Sequence, residues 1–274
     1  MAIIPKKDIM KDLLDNELVL QDFRPYIGMS SLQGKCLRST WYNFRWACDR
    51  YVPKRVQRIF ERGDLEEARV IRDLRAVGMT VTDCLEDQIE LCDETGHIKG
   101  HPDGRVTGVP VAPKKPHALE VKTMKHSLYV GYLKKGLEVS YPVYWGQVHT
   151  YMGEQGLTRA LFIATNKDTE ERNYERIKYD PAVHKQSMSL GMDVLTAVAP
   201  PKRIGDVTWF ECKMCDNKGI CHKNEPIKKT CRSCTFVDIE MQGQWRCRKH
   251  DRGLSEKAQM QACDDYQLDE AFSQ

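Results

Sequence analysis

The chain has 274 residues, with 42 Lys and Arg against 39 Asp and Glu, a formal net charge of +3. That length suits one domain with a sizeable core, or a core plus a small appendage. The charge is too close to zero to announce a nucleic-acid partner by itself. No run reaches roughly eighteen apolar residues, so no membrane-spanning helix is expected. Met1 to Lys7 lacks the apolar stretch of a secretory signal, so an intracellular, reducing setting is expected.

In chain order, Asp8–Leu20 places Ile9, Leu13 and Leu20 at helical spacing, which predicts an amphipathic helix. Residues 30–47 carry Trp41, Tyr42, Phe44 and Trp46 interleaved with Arg38 and Arg45, the pattern of an aromatic core helix. A long helix is predicted from Pro53 to near Gly78, studded with Glu61, Asp64, Glu66 and Glu67. Val81–Asp93 and Gly96–Val111 read as strands with turns at 94–96 and at Asp103-Gly104, and 109–116 as a loop. A basic, aromatic stretch (Lys122, Lys125, Tyr129, Tyr132, Lys134, Lys135) precedes a helix over Pro142–Glu154, which puts Gln147 and Tyr151 on one face. Strands at 159–166 and 174–179 and a helix over 181–199 complete a body that ends at Pro200-Pro201-Lys202. This order predicts an α/β fold, a mixed sheet flanked by helices.

Chemistry concentrates at Asp103 and at Leu119-Glu120-Val121-Lys122. The alternation is that of a strand, with Leu119 and Val121 toward a core and Glu120 and Lys122 sharing the other face. Two carboxylates, Asp103 and Glu120, could share a divalent cation, leaving Lys122 to orient or deprotonate a water. Taken singly, Asp-Gly is an ordinary turn and Glu-x-Lys an ordinary surface ion pair.

Four motifs in series make the chain resemble the PD-(D/E)xK nuclease superfamily, closest to RecB-type and phage exonucleases and their CRISPR-adaptation relatives. They are Gly63 through Glu67, the Asp103 turn, Glu120-Val121-Lys122, and Gln147 through Tyr151. Relatives often carry a His in the first motif, where this chain has acids; Glu67 is chosen for its spacing from Gly63. The resemblance implies a restriction-endonuclease-like core that hydrolyses DNA, degrading linear ends as an exonuclease in phage recombination or DNA processing, in the host cytoplasm. It also implies Mg²⁺ or Mn²⁺ on Asp103, Glu120, the Val121 carbonyl and Glu67, with Lys122 orienting water and Gln147 and Tyr151 bordering the site. Lys125, Lys134 and Lys135 would follow the DNA backbone, and a phage single-strand annealing protein would be a partner. Two rivals are a DNA-binding metalloprotein that recruits a recombination or replication partner, and an overhang-trimming nuclease of the CRISPR-adaptation kind. His101 is either a neighbour of the metal site or a turn-packing side chain.

Of 11 cysteines, seven fall between Cys212 and Cys263, clustering that in a reducing setting argues for metal. Cys212, Cys215 and Cys221 have the spacing that, in the resembled nucleases, supplies three ligands of a 4Fe–4S cluster, with Cys36 as the fourth. With His222 in place of Cys36 the same thiols would suit zinc. Cys231, Cys234, Cys247 and Cys263 have spacings that fit a four-cysteine zinc module. Around it, Arg232, Arg246, Arg248, Lys249 and Arg252 suit either a grip on DNA or a structural cap. Cys48, Cys84 and Cys92 read as packing residues. The expected organisation is an N-terminal helical segment (1–29), a nuclease core (30–225) and a cysteine-rich metal-binding module (226–274).

Overall fold

A computed structural model describes residues 9–34 and 36–273. Its centre is a five-stranded mixed sheet. The strands are β1 (Thr80–Thr82), β2 (Gly104–Thr107), β3 (His117–Met124), β4 (Arg159–Asn166) and β5 (Arg172–Lys178). Their order across the sheet follows the chain, and all neighbours are antiparallel except β3 and β4, which run parallel over seven residue pairs.

Both faces of this sheet are covered. Helix α1 is Leu37–Phe44 and α2 is Lys54–Ala76; α3 (His126–Ser140), α4 (Pro142–Glu154) and α5 (Pro181–Thr196) follow β3 and β5. On one face α2 packs Val70, Ile71 and Leu74 against Leu119, Val121, Leu161 and Ile163. On the other, Tyr129 and Tyr132 of α3 and Val148 and Met152 of α4 cover Ala118, Ala160 and Phe162. A strand covered on both sides loses the polar face that alternation promises. Glu120 therefore does not face water; it is 1% exposed.

A second, three-stranded sheet pairs Ile98–Gly100 in parallel with Ile27–Gly28 and antiparallel with Leu91–Cys92. The predicted strands 81–93 and 96–111 are thus each split between two sheets. Asp103 is not the tip of a hairpin but a bend where the chain leaves the small sheet for the large one. Gly104 makes that crossing at φ +147°, where a Cβ would lie 3.0 Å from the Thr82 carbonyl oxygen and from Cys84 Cβ.

The helix predicted over 8–20 is not formed. Ile9–Lys11 is a single helical turn, Asp12–Asn16 a π-turn, and Leu18–Leu20 a strand paired with Tyr51–Pro53; Asp8 lies outside the described residues. The helical spacing was real, yet Ile9 is 69% exposed, so no core rewards a continuous helix. The aromatic helix is shorter than its pattern, Leu37–Phe44, but Trp41, Tyr42, Phe44 and Trp46 are all buried. Trp41, Tyr42 and Phe44 join one cluster that also takes in Ile27, Met29, Trp245, Leu254 and Phe272. The stretch 122–135 becomes the end of β3 and most of α3, which kinks at Gly136.

Candidate active site

The sheet's branch point builds the site. Beyond Leu119, β3 has no β2 partner, because β2 begins at Gly104. The Val121 N–H that would have met a strand instead donates to Asp103 Oδ2 at 2.7 Å. In an extended strand a residue's N–H and C=O point to the same side, so the Val121 carbonyl opens beside Asp103.

Glu120 and Lys122, two apart on β3, form an ion pair through Oε1 and Nζ. Glu120 Oε2 is buried and has no hydrogen-bond partner. A buried carboxylate oxygen without a donor is costly, and a cation is one way to satisfy it. Burial raises the Glu120 carboxyl above the ordinary range and Asp103 raises it further, with Lys122 opposing. Asp103 is raised likewise by burial, against Lys122 and the Val121 N–H. Burial pulls Lys122 down, but Glu120 and Asp103 outweigh it and hold an ammonium. In that state Lys122 orients and donates; it does not take a proton from water.

Helix α2 supplies the third carboxylate. Glu66 and Glu67 adjoin but diverge. Glu66 is buried in a structural network, accepting from Arg172 Nη2 at 2.7 Å and Thr165 Oγ1 at 3.0 Å. Glu67 turns to the site, where burial, Asp103 and then Asp64 push its carboxyl up to about 7. Three carboxylates that resist simultaneous charge, one with an orphaned oxygen, are a donor set that fits Mg²⁺ or Mn²⁺.

On the other side of β3, Gln147 Nε2 of α4 donates to the Tyr151 hydroxyl at 3.2 Å, and Tyr151 lies within electrostatic reach of Glu120. A Cβ at Gly100 would come within 2.6 Å of Tyr151 Cε1, so glycine there lets the ring lie against the backbone. Gln147, Tyr151 and Lys122 border an open cavity of 310 Å³. Its wall also takes in Arg24, Tyr26, Lys99 and Tyr144, which sequence reasoning missed, and His101, which the sequence left between a place near the metal and turn packing. Arg24 and Lys99 sit 5.5 and 5.9 Å from the centre of the Tyr26 ring, and Lys122 sits 5.4 Å from that of Tyr144. His101 Nε2 is 3.1 Å from the Tyr26 hydroxyl, which makes it part of this wall. Only the parallel pairing of Ile27 with Ile98 joins Arg24 and Tyr26 to Lys99, and no local pattern announces that. Lys125, Lys134 and Lys135 are exposed and do not line the cavity.

Cys36, Cys212, Cys215 and Cys221 line one small cavity, with His222 also at its wall. Cys231, Cys234, Cys247 and Cys263 line another. Cys84, which accepts from Arg75, is buried in the core with Val81 and Val106, and Cys48, which donates to Asn217 Oδ1, packs against the aromatic cluster; Cys92 is exposed rather than packed.

No family model matches the chain, and no curated protein matches it. Among solved structures it is similar to LHK-Exo in complex with dAMP, at 19% identity over 62% of this chain and 86% of that one, TM-score 0.45. It is similar to SSO0001 at 16% identity over 73% and 88%, TM-score 0.44. It is also similar to an alkaline exonuclease, LHK-Exo, from Laribacter hongkongensis, at 18% identity over 62% and 87%, TM-score 0.42. At these identities and scores, function has to be argued from the residues themselves. Among the described residues, no helix is long and apolar enough to cross a membrane.

Proposed function

We propose that the protein is a divalent-metal-dependent deoxyribonuclease, acting on linear DNA from an end. The observation that carries this is the orphaned Glu120 Oε2, set among Asp103, Glu67 and the Lys122 ammonium, with Lys122 itself lining a basic, aromatic cavity. Asp103, Glu120, Glu67 and the Val121 carbonyl would hold Mg²⁺ or Mn²⁺. Bound there, the cation supplies Lewis acidity toward a phosphate oxygen and lowers the pKa of water.

The chain's own groups do the rest. Lys122, fixed by Glu120, orients the attacking water and offsets charge on the phosphate. Arg24 and Lys99 neutralise backbone phosphates, which makes binding salt-dependent and largely indifferent to sequence. Tyr26 and Tyr144 offer faces on which bases of a separated strand can stack, as exonucleolytic action on an end requires. Gln147 and Tyr151 brace the wall behind Glu120.

The thiols of Cys36, Cys212, Cys215 and Cys221 suit a 4Fe–4S cluster, or zinc with His222 in reserve. The free space among them is 30 Å³, about that of two ordered waters. A four-iron cluster needs more room than that, so the cysteine side chains would have to swing outward to take it. The absorption spectrum of anaerobically purified protein separates the two: a brown chromophore lost in Cys36→Ala selects the cluster, and colourless protein with stoichiometric zinc rejects it.

The nuclease reading is tested by digesting linear and covalently closed circular duplexes with Mg²⁺ or Mn²⁺, beside Lys122→Ala and Glu120→Ala. Loss of the linear DNA alone, stopped by both substitutions, is the expected result. Cleavage of closed circles keeps the site but makes the enzyme an endonuclease. DNA binding without metal-dependent cleavage overturns the enzyme in favour of a recruiting protein.

A further inference from the structure

The C-terminal 40-odd residues contain little regular structure: strands Val237–Ile239, Trp245–Cys247 and Arg252–Gly253, a one-turn helix Glu256–Gln259, and turns. So small a unit has little core of its own, and the apolar side chains that it buries, Trp245, Leu254 and Phe272, it shares with α1. Cys231 and Cys234 flank a 3₁₀ turn, in which Ser233 Oγ accepts from the Thr230 N–H at 3.2 Å. Cys247 ends a strand, and Cys263 follows the short helix. The four come from three separate pieces of chain and line one cavity of 20 Å³, room for a single ion.

We infer that Cys231, Cys234, Cys247 and Cys263 bind one zinc ion as a closed four-thiolate site. This does not depend on the nuclease reading. Four soft thiolates at knuckle spacing suit zinc, which has no preference among geometries and accepts a tetrahedron.

A zinc ion with four thiolates carries a net charge of −2, and the surroundings are built for that. Lys249 lies within electrostatic reach of Cys263 and Cys234, and Arg252 of Cys231. His250 Nε2 is 3.7 Å from Cys263 Sγ and 3.3 Å from Asp265 Oδ2. His250, Cys263 and Asp265 bring one donor atom each within 4.8 Å of one another; with four thiolates on the ion, His250 donates to the Cys263 sulfur as an orienting neighbour. The rest of the basic ring is otherwise engaged: Arg246 pairs with Asp251, Arg248 with Asp238 at 3.2 Å, and Arg232 is buried.

The site also has a reach beyond itself. Arg232 projects from the Cys231–Cys234 turn into a cage, 3.8 Å from the centre of Trp46 and 4.3 Å from that of Trp245. It donates to the Phe44 carbonyl at 2.8 Å, the Pro25 carbonyl at 2.9 Å and Gln259 Oε1 at 2.7 Å. Fixing the knuckle therefore fixes Pro25, next to Tyr26 of the cavity wall.

The experiment measures zinc in the purified full-length chain and in Cys247→Ser and Cys36→Ser. One equivalent of zinc lost in Cys247→Ser but kept in Cys36→Ser is expected; zinc content unmoved by Cys247→Ser overturns the site, as does iron in its place. Should the serine variant not fold, alkylation of the native protein decides. Cys92 and Cys263 are both exposed, so a free Cys263 would react as fast as Cys92. Labelling of Cys263 at least ~10-fold slower, restored by stripping the metal, is expected for a ligated thiolate. Equal rates overturn it. After cobalt substitution, a thiolate-to-metal band that weakens in Cys263→Ser and survives in His250→Ala is expected, and the reverse pattern makes His250 the ligand and overturns the four-thiolate assignment. None of these readouts depends on DNA cleavage, so this inference and the nuclease reading fail separately.

Discussion

Replacing Asp103 with asparagine separates what that carboxylate does for chemistry from what it costs the fold. An asparagine side-chain oxygen can still accept the Val121 N–H, which reaches Asp103 Oδ2 at 2.7 Å, so the bend should keep its shape. What disappears is one of three negative charges facing a single ammonium, Lys122. Glu67 sets the scale, since its carboxyl rises from 4.5 to about 7 through burial, Asp103 and Asp64. One pKa unit is worth about 1.4 kcal/mol. Burial is the largest cause and Glu67 is partly exposed, so the share due to Asp103, after screening by solvent, is on the order of 1 kcal/mol.

The sign follows from the direction of the shift. A carboxyl raised in the folded protein costs nothing below the unfolded value of 4.5, and its full penalty is reached above about 7. Metal-free protein should thus lose stability as pH rises through that window, and Asp103→Asn should lose less. Urea unfolding with chelator present is the assay. The variant should match the parent near about pH 5 and exceed it by ~1 kcal/mol near about pH 8. DNA hydrolysis should meanwhile fall on the order of 10²–10⁴-fold. If Asp103→Asn is instead less stable than the parent at the higher pH, the carboxylate is a structural acceptor and the reasoning about a charge-loaded, cation-seeking site is wrong.

Arg232→Met keeps the bulk inside the aromatic cage but strands the Phe44 and Pro25 carbonyls, and should cost ~3–5 kcal/mol by urea unfolding; a loss under about 1 kcal/mol would show that water replaces the guanidinium. His97 donates through Nε2 to the Glu240 carbonyl at 2.7 Å, and burial lowers its pKa below 6.5, so the stability it contributes is present above that value and lost as pH falls. Protection factors for hydrogen exchange across 237–247 should therefore fall between about pH 7 and about pH 5, and unchanged protection would remove His97 as a link between the C-terminal segment and the small sheet. Arg24→Gln should weaken DNA binding and flatten its logarithmic salt dependence by roughly 0.7–0.9, whereas an unchanged slope would place the DNA elsewhere.

The large sheet was legible because β3 alternates apolar with polar residues and β4 carries an apolar run, and the long polar helix α2 because its few apolar residues keep one stripe. Glu67, Asp103, Glu120 and Lys122 could be nominated from motif spacing, and the structure brings them together. Cys231, Cys234, Cys247 and Cys263 were legible from spacing as candidates for convergence, and Cys212, Cys215 and Cys221 likewise, with Cys36 added to them by the family resemblance. What could not be seen was whatever depends on distant pairing. Leu18–Leu20 joins Tyr51–Pro53 and so abandons the helix that its own periodicity suggests. Arg24 and Tyr26 reach the cavity through a two-residue parallel bridge to Ile98. Arg232 sits in a run of basic residues and looks like solvent charge, yet it is 1% exposed, because aromatic rings some 190 positions earlier receive it.

The shared aromatic cluster also has a bearing on how the chain is made. Trp41 of α1 packs against Phe272 with ring centres 4.9 Å apart, 231 positions later. At ordinary rates of synthesis that interval is roughly 10–50 s. Throughout it, one of the first helices to leave the ribosome carries Trp41, Tyr42 and Phe44 without their covering residues, and a chain stopped short of 245–272 never receives them. Nascent or truncated forms should therefore be the aggregation-prone species, and a chaperone that shields residues 37–46 should raise the yield of soluble protein more than one that acts on the finished chain.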